Sequence, residues 1–318
     1  MDVIVIGTVV TDVIAGPIAS QDSWLEKQRI SGITLSTGGD GANQSIRLGD
    51  LGRSVSIAAC IGKDQAGTMA KAALSARGVD VSHIVEKDGL ETGTSLLLLR
   101  PDGEQNAFSN AGAHGMLTKE DCAWVFGKDM AVSGPEAPRA LSIASLFSLP
   151  LLEDDGLVEL LRTAKTRGIL TFADLGSDKR HLGLTGIRPF LPLLDYFLPS
   201  EEGALRMTGA ATPEEAASTF FSCGASNVII KCAERGACYT SAGSDSSGWV
   251  PAIPVQPVDT TGAGDCFAAH LIHGILSGLS LRDACAGACK AASLSTLNRG
   301  ASLTPLDKEA LARYQEKT

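Results

Sequence analysis

Short apolar, β-branched runs recur along the chain and end in glycine or a polar residue. They are VIVIG at 3–7, SVSIAACIG at 54–62, ILTFADLG at 169–176, YFLPS at 196–200 and NVIIKCA at 227–233. Runs of this length without polar alternation predict strands buried on both faces. Between them, apolar positions recur at helical spacing. This predicts helices over 41–51, 65–77, 153–167, 201–208, 213–222, 264–277, 281–296 and 305–315. Strand followed by helix, repeatedly and with no long polar linker, predicts an α/β fold. The whole of 1–318 reads as one domain, with a mostly parallel sheet and helices on both faces.

One region departs from that rhythm. TGTSLLLLRPDGEQNAFSNAG (92–112) reads as two strands joined by RPDGEQ. Pro101 presets φ there, and Gly103 tolerates positive φ. With strands at 12–18 and 30–37, this segment predicts a small second sheet, so that lid strands come from about 12–37 and 92–112.

Composition narrows the function classes. A chain of 318 residues builds its core without disulfide staples, and its eight cysteines are scattered. Free thiols in a reducing cytoplasm are the expectation. Cys232 with Cys238, and Cys285 with Cys289, have neither a CxxC spacing nor a histidine partner, so they read as small buried residues rather than metal ligands. The net charge is −9, with no basic run longer than two. That argues against a nucleic-acid or anionic-membrane partner. A local anion site remains open, because backbone N–H groups hold phosphate without net positive charge. The opening MDVIVIGTVVTDVIAG lacks a basic n-region and carries Asp2 and Asp12, so it does not read as a signal peptide.

Neither GxxxxGK[ST] nor a strand-to-helix GxGxxG occurs. The chemistry centres instead on VDTTGAGDCFAAHLIHGI, 258–275. Gly262, Ala263 and Gly264 lead into a helix, and small residues there let a ligand approach unpaired N–H donors at its positive end. This is an anion hole, most simply for phosphate. Asp265 sits at its mouth, where it serves either as general base for an attacking hydroxyl or only as a complement to the helix dipole. A second motif, GGDGANQSIRLGDLG at 38–52, sets glycines before another helix with Asn43 in its first turn. Asn43 suits a polyol hydroxyl, or else is a cap. His270 and His273 lack a third ligand and read as packing residues.

Together these motifs resemble the ribokinase-like carbohydrate kinases of the PfkB family. The resemblance covers essentially the whole chain: Gly7 with Asp12, GGDGANQ, the lid-like 92–112, and DTTGAGD near the C-terminus. It implies a Rossmann-like αβα sandwich with a β-sheet lid, and MgATP-dependent phosphorylation of a sugar hydroxyl. Asp265 becomes the implied base, and Gly262, Ala263 and Gly264 the implied anion hole. Asp12, Gly39, Asp40 and Asn43 become sugar contacts, with Asn106, Asn110 and His114 as lid-side candidates. Lys231, Ala233 and Gly236, with Ser200 upstream, fall on the nucleotide side, and Ala288 and Ala292 beside the adenine. Asp259 and Thr261, with Ser295, Asn298 and Gly300, sit where many relatives hold a monovalent cation, potassium being the candidate. A homodimer through the lid is also implied, because exposed strand edges pair readily.

The chain departs from ribokinases proper at Asp40, where they carry Lys, and at Ser148, where they carry an acid. It departs again at Ser200-Glu201-Glu202-Gly203, where both polar anchors of an Asn-x-x-Glu segment are changed. The pattern is nearer a less characterised Gly-Gly-Asp sugar-kinase branch. If Asp12 and Asp40 both face the sugar, they suit vicinal hydroxyls and repel a carboxylate beside them. Two other readings stay open: a nucleoside kinase, against which the sparse aromatic content weighs, and a non-catalytic sugar or nucleotide sensor.

Overall fold

The computed structural model describes residues 1–18, 29–100, 105–127, 137–242 and 247–306. Its strands are β1 Val3–Ile6, β2 Val10–Ala15, β3 Ile33–Gly38, β4 Val55–Gly62, β5 Val79–Asp80, β6 Ile84–Lys87, β7 Gly93–Leu99, β8 Gln105–Asn110, β9 Ala140–Leu146, β10 Leu170–Leu175, β11 Tyr196–Phe197, β12 Asn227–Lys231, β13 Ala237–Ser241 and β14 Ser247–Val250. Its helices are α1 Asp40–Asp50, α2 Gln65–Ala76, α3 Pro150–Asp155, α4 Leu157–Thr166, α5 Gly183–Ile187, α6 Glu201–Thr208, α7 Pro213–Ser222, α8 Ala263–Leu276 and α9 Leu281–Ser295.

Ten strands form the main sheet in the order β14-β13-β12-β11-β10-β9-β1-β4-β5, with β6 also beside β4. From β12 to β5 and β6 every pairing is parallel; only β13 and β14 run antiparallel. Every residue of β1, β4 and β9 is buried. The two-residue period divides them between faces. Val3 and Val5 pack with Ala42 and Ile46 of α1 and Ala269 and Ile272 of α8. Ile4 and Ile6 face the opposite layer, with Leu160 and Leu161 of α4 and Phe220 of α7. This is the predicted α/β sandwich.

The predicted small sheet is also present, in the order β3-β2-β7-β8. β2 pairs antiparallel with β3 and parallel with β7, and β7 pairs antiparallel with β8. Register sets its two faces. Asp12 lies in a row with Ser36, Ser95 and Ser109, whereas Val13 lies with Leu35, Leu96 and Phe108.

Several sequence expectations shift. The helix expected over 153–167 is two helices broken at Gly156, where a Cβ would come 2.5 Å from the Lys119 Cβ. Strands β5, β6, β9, β13 and β14 and helix α5 were not predicted. The turn at 101–104 lies outside the described residues, and so does nearly all of the helix expected over 305–315. No helix among the described residues is long and apolar enough to cross a membrane.

Candidate active site

β1 lies between β9 and β4, so the strand order reverses there. Ligands of open parallel sheets bind outside the carboxyl ends of the strands at such a point. Those ends carry Thr8 after β1, Ser145 on β9, Asp174 on β10 and Lys231 on β12. The first turns of α1 and α8 meet above them. Asn43 Nδ2 donates to Asp265 Oδ2 at 2.8 Å, and Gln44 Nε2 to Oδ1 at 3.5 Å. Gln44 is itself fixed: its Oε1 accepts from Ser142 Oγ at 2.9 Å, and its Nε2 reaches the Ala144 carbonyl at 3.4 Å. Asp265 is only 7% exposed. A carboxylate that merely complemented the helix dipole would be held in its charged form. Burial, then the Asp40 charge, instead push Asp265 well above the usual carboxylate range, against the opposing Asn43 bond. A buried, perturbed carboxyl of this kind marks a candidate functional position.

The start of α8 presents backbone rather than side chains. Gly262 takes φ 72°, and a Cβ on it would lie 2.3 Å from the Ala301 Cβ, so glycine is required on two counts. No side chain caps α8. The amides of Gly264 and Asp265 donate to no described group. Lys231 lies close by, its Nζ 3.3 Å from where a Gly264 Cβ would stand. Lys231 is ion-paired with Asp174; the lysine is half-buried and the carboxylate buried. Burial raises the Asp174 pKa to about 6, with Lys231 pulling it back down.

Across the cluster, Asp12 is buried on β2 against the backbone of Gly38. Burial, followed by the charges of Asp259 and Asp40, raises its pKa to about 6. Gly39 holds φ 90°, and a Cβ there would lie 2.7 Å from the Thr8 carbonyl. Asp40 donates its backbone N–H to Thr8 Oγ1 at 3.0 Å and accepts from Ser145 Oγ at 2.5 Å. Ser148 contacts Ser145 at 2.9 Å. Burial raises the Asp40 pKa, while Ser145 and then Lys231 lower it. The buried Asn43 Oδ1 and Ser36 Oγ have no hydrogen-bond partner among the described residues.

Asn106 and Asn110 are not brought to this cluster. Their register places both on the face of the small sheet opposite Asp12. Asn110 is engaged locally, donating to Glu91 Oε2 at 3.3 Å and accepting from the Gly112 amide at 3.1 Å. His114 lies under the start of β7, beside Gly93, with Nδ1 buried and unpartnered.

Beyond β11, Ser200 caps α6 by accepting from the Gly203 amide at 3.2 Å. Neither neighbouring glutamate turns inward. Glu201 pairs with Arg235, and Glu202 with Arg206. Ala233 and Gly236 take positive φ in the loop after β12. Ala288 is in the core beside Phe267 and Leu271, and Ala292 packs at its margin. Asp259 is 1% exposed. Its Oδ1 accepts from the amide and hydroxyl of Thr261, its Oδ2 from the Gly300 amide at 2.8 Å, and its own amide donates to the Thr296 carbonyl. The segments of Asp259, Ser295, Asn298 and Gly300 thus converge, and Asp259 has no ion pair with a described residue.

Gln44, Ser145 and Asp174 are site residues that sequence reasoning missed. Asp174 had a usable signal, since it ends a predicted parallel strand. Ser145 did not, because its strand was not predicted.

A family model described as pfkB family carbohydrate kinase matches residues 1–309. The chain is 29% identical to a ribokinase of Haemophilus influenzae, covering 87% of each. It is 33% identical to a 2-dehydro-3-deoxygluconokinase of Bacillus subtilis, covering 79% of this chain and 78% of that protein. Among solved structures, an Arabidopsis thaliana ribokinase complexed with ribose and ATP superposes with TM-score 0.79 at 22% identity, covering 98% and 97%. A candidate ribokinase II of E. coli in complex with ATP and Mg2+ gives TM-score 0.82 at 24% identity, covering 100% and 99%. At these identities the two structures speak to the fold.

Proposed function

Because this chain belongs to the pfkB family of carbohydrate kinases, we propose that it transfers the γ-phosphoryl group of ATP to a hydroxyl of a sugar or sugar derivative. Asp265 is the general base and the backbone of 262–265 the anion hole. The observation that carries this reading is Asp265 itself: buried, held by Asn43, and raised in pKa at the uncapped start of α8.

In the reaction, the hydroxyl proton passes to an Asp265 carboxylate oxygen as the alcohol oxygen bonds to phosphorus. The bond to the β-phosphate oxygen breaks, and its electron pair leaves with ADP. The free amides of α8 meet charge developing on the transferred oxygens. Mg2+ enters with ATP as part of that substrate. Asp12, Gly39, Asp40 and Asn43 hold the acceptor, and the unpartnered Asn43 Oδ1 suits a hydroxyl donor beside the base. Two acceptor carboxylates at that end favour a neutral polyol there. Ser200, Lys231, Ala233 and Gly236, with Ala288 and Ala292, frame the nucleotide.

Asp259 with Thr261, Ser295, Asn298 and Gly300 fits a monovalent cation such as potassium. Its buried carboxylate is met by neutral donors alone. A bound cation would supply the missing positive charge behind the anion hole. The small sheet serves as lid and as homodimer surface, because Ile33, Leu35, Leu96 and Phe108 leave an exposed apolar face on it. Eight unpaired cysteines suit a cytoplasmic protein.

A coupled assay of ADP production over a panel of sugars and nucleosides tests the reading. Sugar-dependent ADP release supports it. No release with any sugar, or release with nucleosides alone, overturns it.

A further inference from the structure

Lys231 and Asp174 stand on strands separated by β11, and their side chains bridge across it. The Lys231 ammonium lies beside Gly264, in the first turn of the 14-residue helix α8. A cation at the positive end of a helix is poorly placed unless an anion lies between them. Within electrostatic reach of it stand Asp40, Asp174 and Asp265, three buried or half-buried carboxylates that would repel an arriving polyphosphate. The 200–203 segment adds no charge here, since Glu201 and Glu202 are paired with surface arginines.

On the kinase reading above, we propose that Lys231 is a catalytic residue of phosphoryl transfer and that Asp174 is the counter-ion it leaves when the polyphosphate arrives. In the free protein Asp174 occupies the ammonium as a phosphate would. When a nucleoside triphosphate enters, Lys231 turns to the transferred phosphoryl oxygens. The cation then sits between those oxygens and the acidic floor, and the α8 amides complete the cradle. Gly264 is glycine so that the ammonium can approach the helix end. Asp174 becomes a positioning residue. It parks the lysine, and it competes with phosphate for it.

This account gives opposite signs for two substitutions. The measurement is titration calorimetry of the whole protein with the non-hydrolysable ATP analogue AMP-PNP in EDTA, with AMP as control, alongside turnover. Lys231→Met should weaken AMP-PNP binding about tenfold or more, leave AMP binding unchanged, and lower kcat about 10²–10³-fold. Asp174→Asn frees the ammonium and should tighten AMP-PNP binding several-fold. If Lys231→Met folds poorly, Lys231→Met with Asp174→Asn removes the orphaned carboxylate and should bind as weakly as the single lysine variant. Unchanged AMP-PNP affinity in Lys231→Met, or weakening in both single variants, would show the pair to be a structural strut. A wild-type protein that binds no AMP-PNP, with or without Mg2+, would remove the kinase reading and this proposal together.

Discussion

The Asn43 amide and the Asp265 carboxylate meet at 2.8 Å although 222 positions separate them in the chain. The contact joins the first turns of α1 and α8. It also tunes Asp265, whose pKa burial and then the Asp40 charge raise while the Asn43 bond lowers it. Two substitutions should therefore move the acid limb of the pH–kcat/KM profile in opposite directions. Asn43→Leu removes a bond to the charged form and should shift the limb to higher pH. Asp40→Asn removes a like charge and should shift it to lower pH. Asn43→Leu should also lower kcat/KM by about 10²-fold through lost orientation of the base. Two limbs that move together, or not at all, would contradict the assignment.

Asp12 is held charged at neutral pH at the expense of stability. Burial, above all, raises its pKa to about 6 from an ordinary 3.8. A raised carboxyl pKa destabilises above that value, and the penalty fades as pH falls through 6 toward 4. Asp12→Asn should therefore raise stability near pH 7 by up to about 2–3 kcal/mol while impairing turnover. Near pH 4 the gain should vanish. Denaturant unfolding at the two pH values measures both.

Gly262 admits no side chain. Gly262→Ala meets Ala301 and holds a left-handed φ, and it should cost about 2–4 kcal/mol. Turnover should fall by about 10²-fold, as for loss of an oxyanion donor. Thermal unfolding and initial rates check the two effects separately.

The apolar row of Leu35, Val13, Leu96 and Phe108 predicts the assembly. Phe108→Asp places a charge within it and should convert a homodimer to a monomer in analytical ultracentrifugation. A monomeric wild type, or a variant that stays dimeric, would remove the lid from the interface.

Much of the fold was legible in the sequence because its signals were local. α6 and α7 run over the spans that apolar spacing predicted, and Ser200 and Thr212 cap them from within reach. β9 escaped because ALSIASL is rich in serine and alanine; its identity as a strand comes from being enclosed between β1 and β10. The same omission hid Ser145 and the Ala144 carbonyl. Asn106 and Asn110 were placed beside the sugar by proximity in sequence, but their face depends on strand register, which no local pattern sets. Gln44 touches Asp265 only because α1 and α8 pack together, and the Asp174 pairing with Lys231 exists only because β10 and β12 flank the short β11.

The central claim is that Asp265 takes the proton of the bound alcohol. Its most direct measurement is paired turnover and nucleotide binding for Asp265→Asn, with a sugar that the wild type phosphorylates. The substitution should keep AMP-PNP affinity within a few-fold and lower kcat by about 10²–10⁴-fold. Near-normal turnover in that variant would contradict the account.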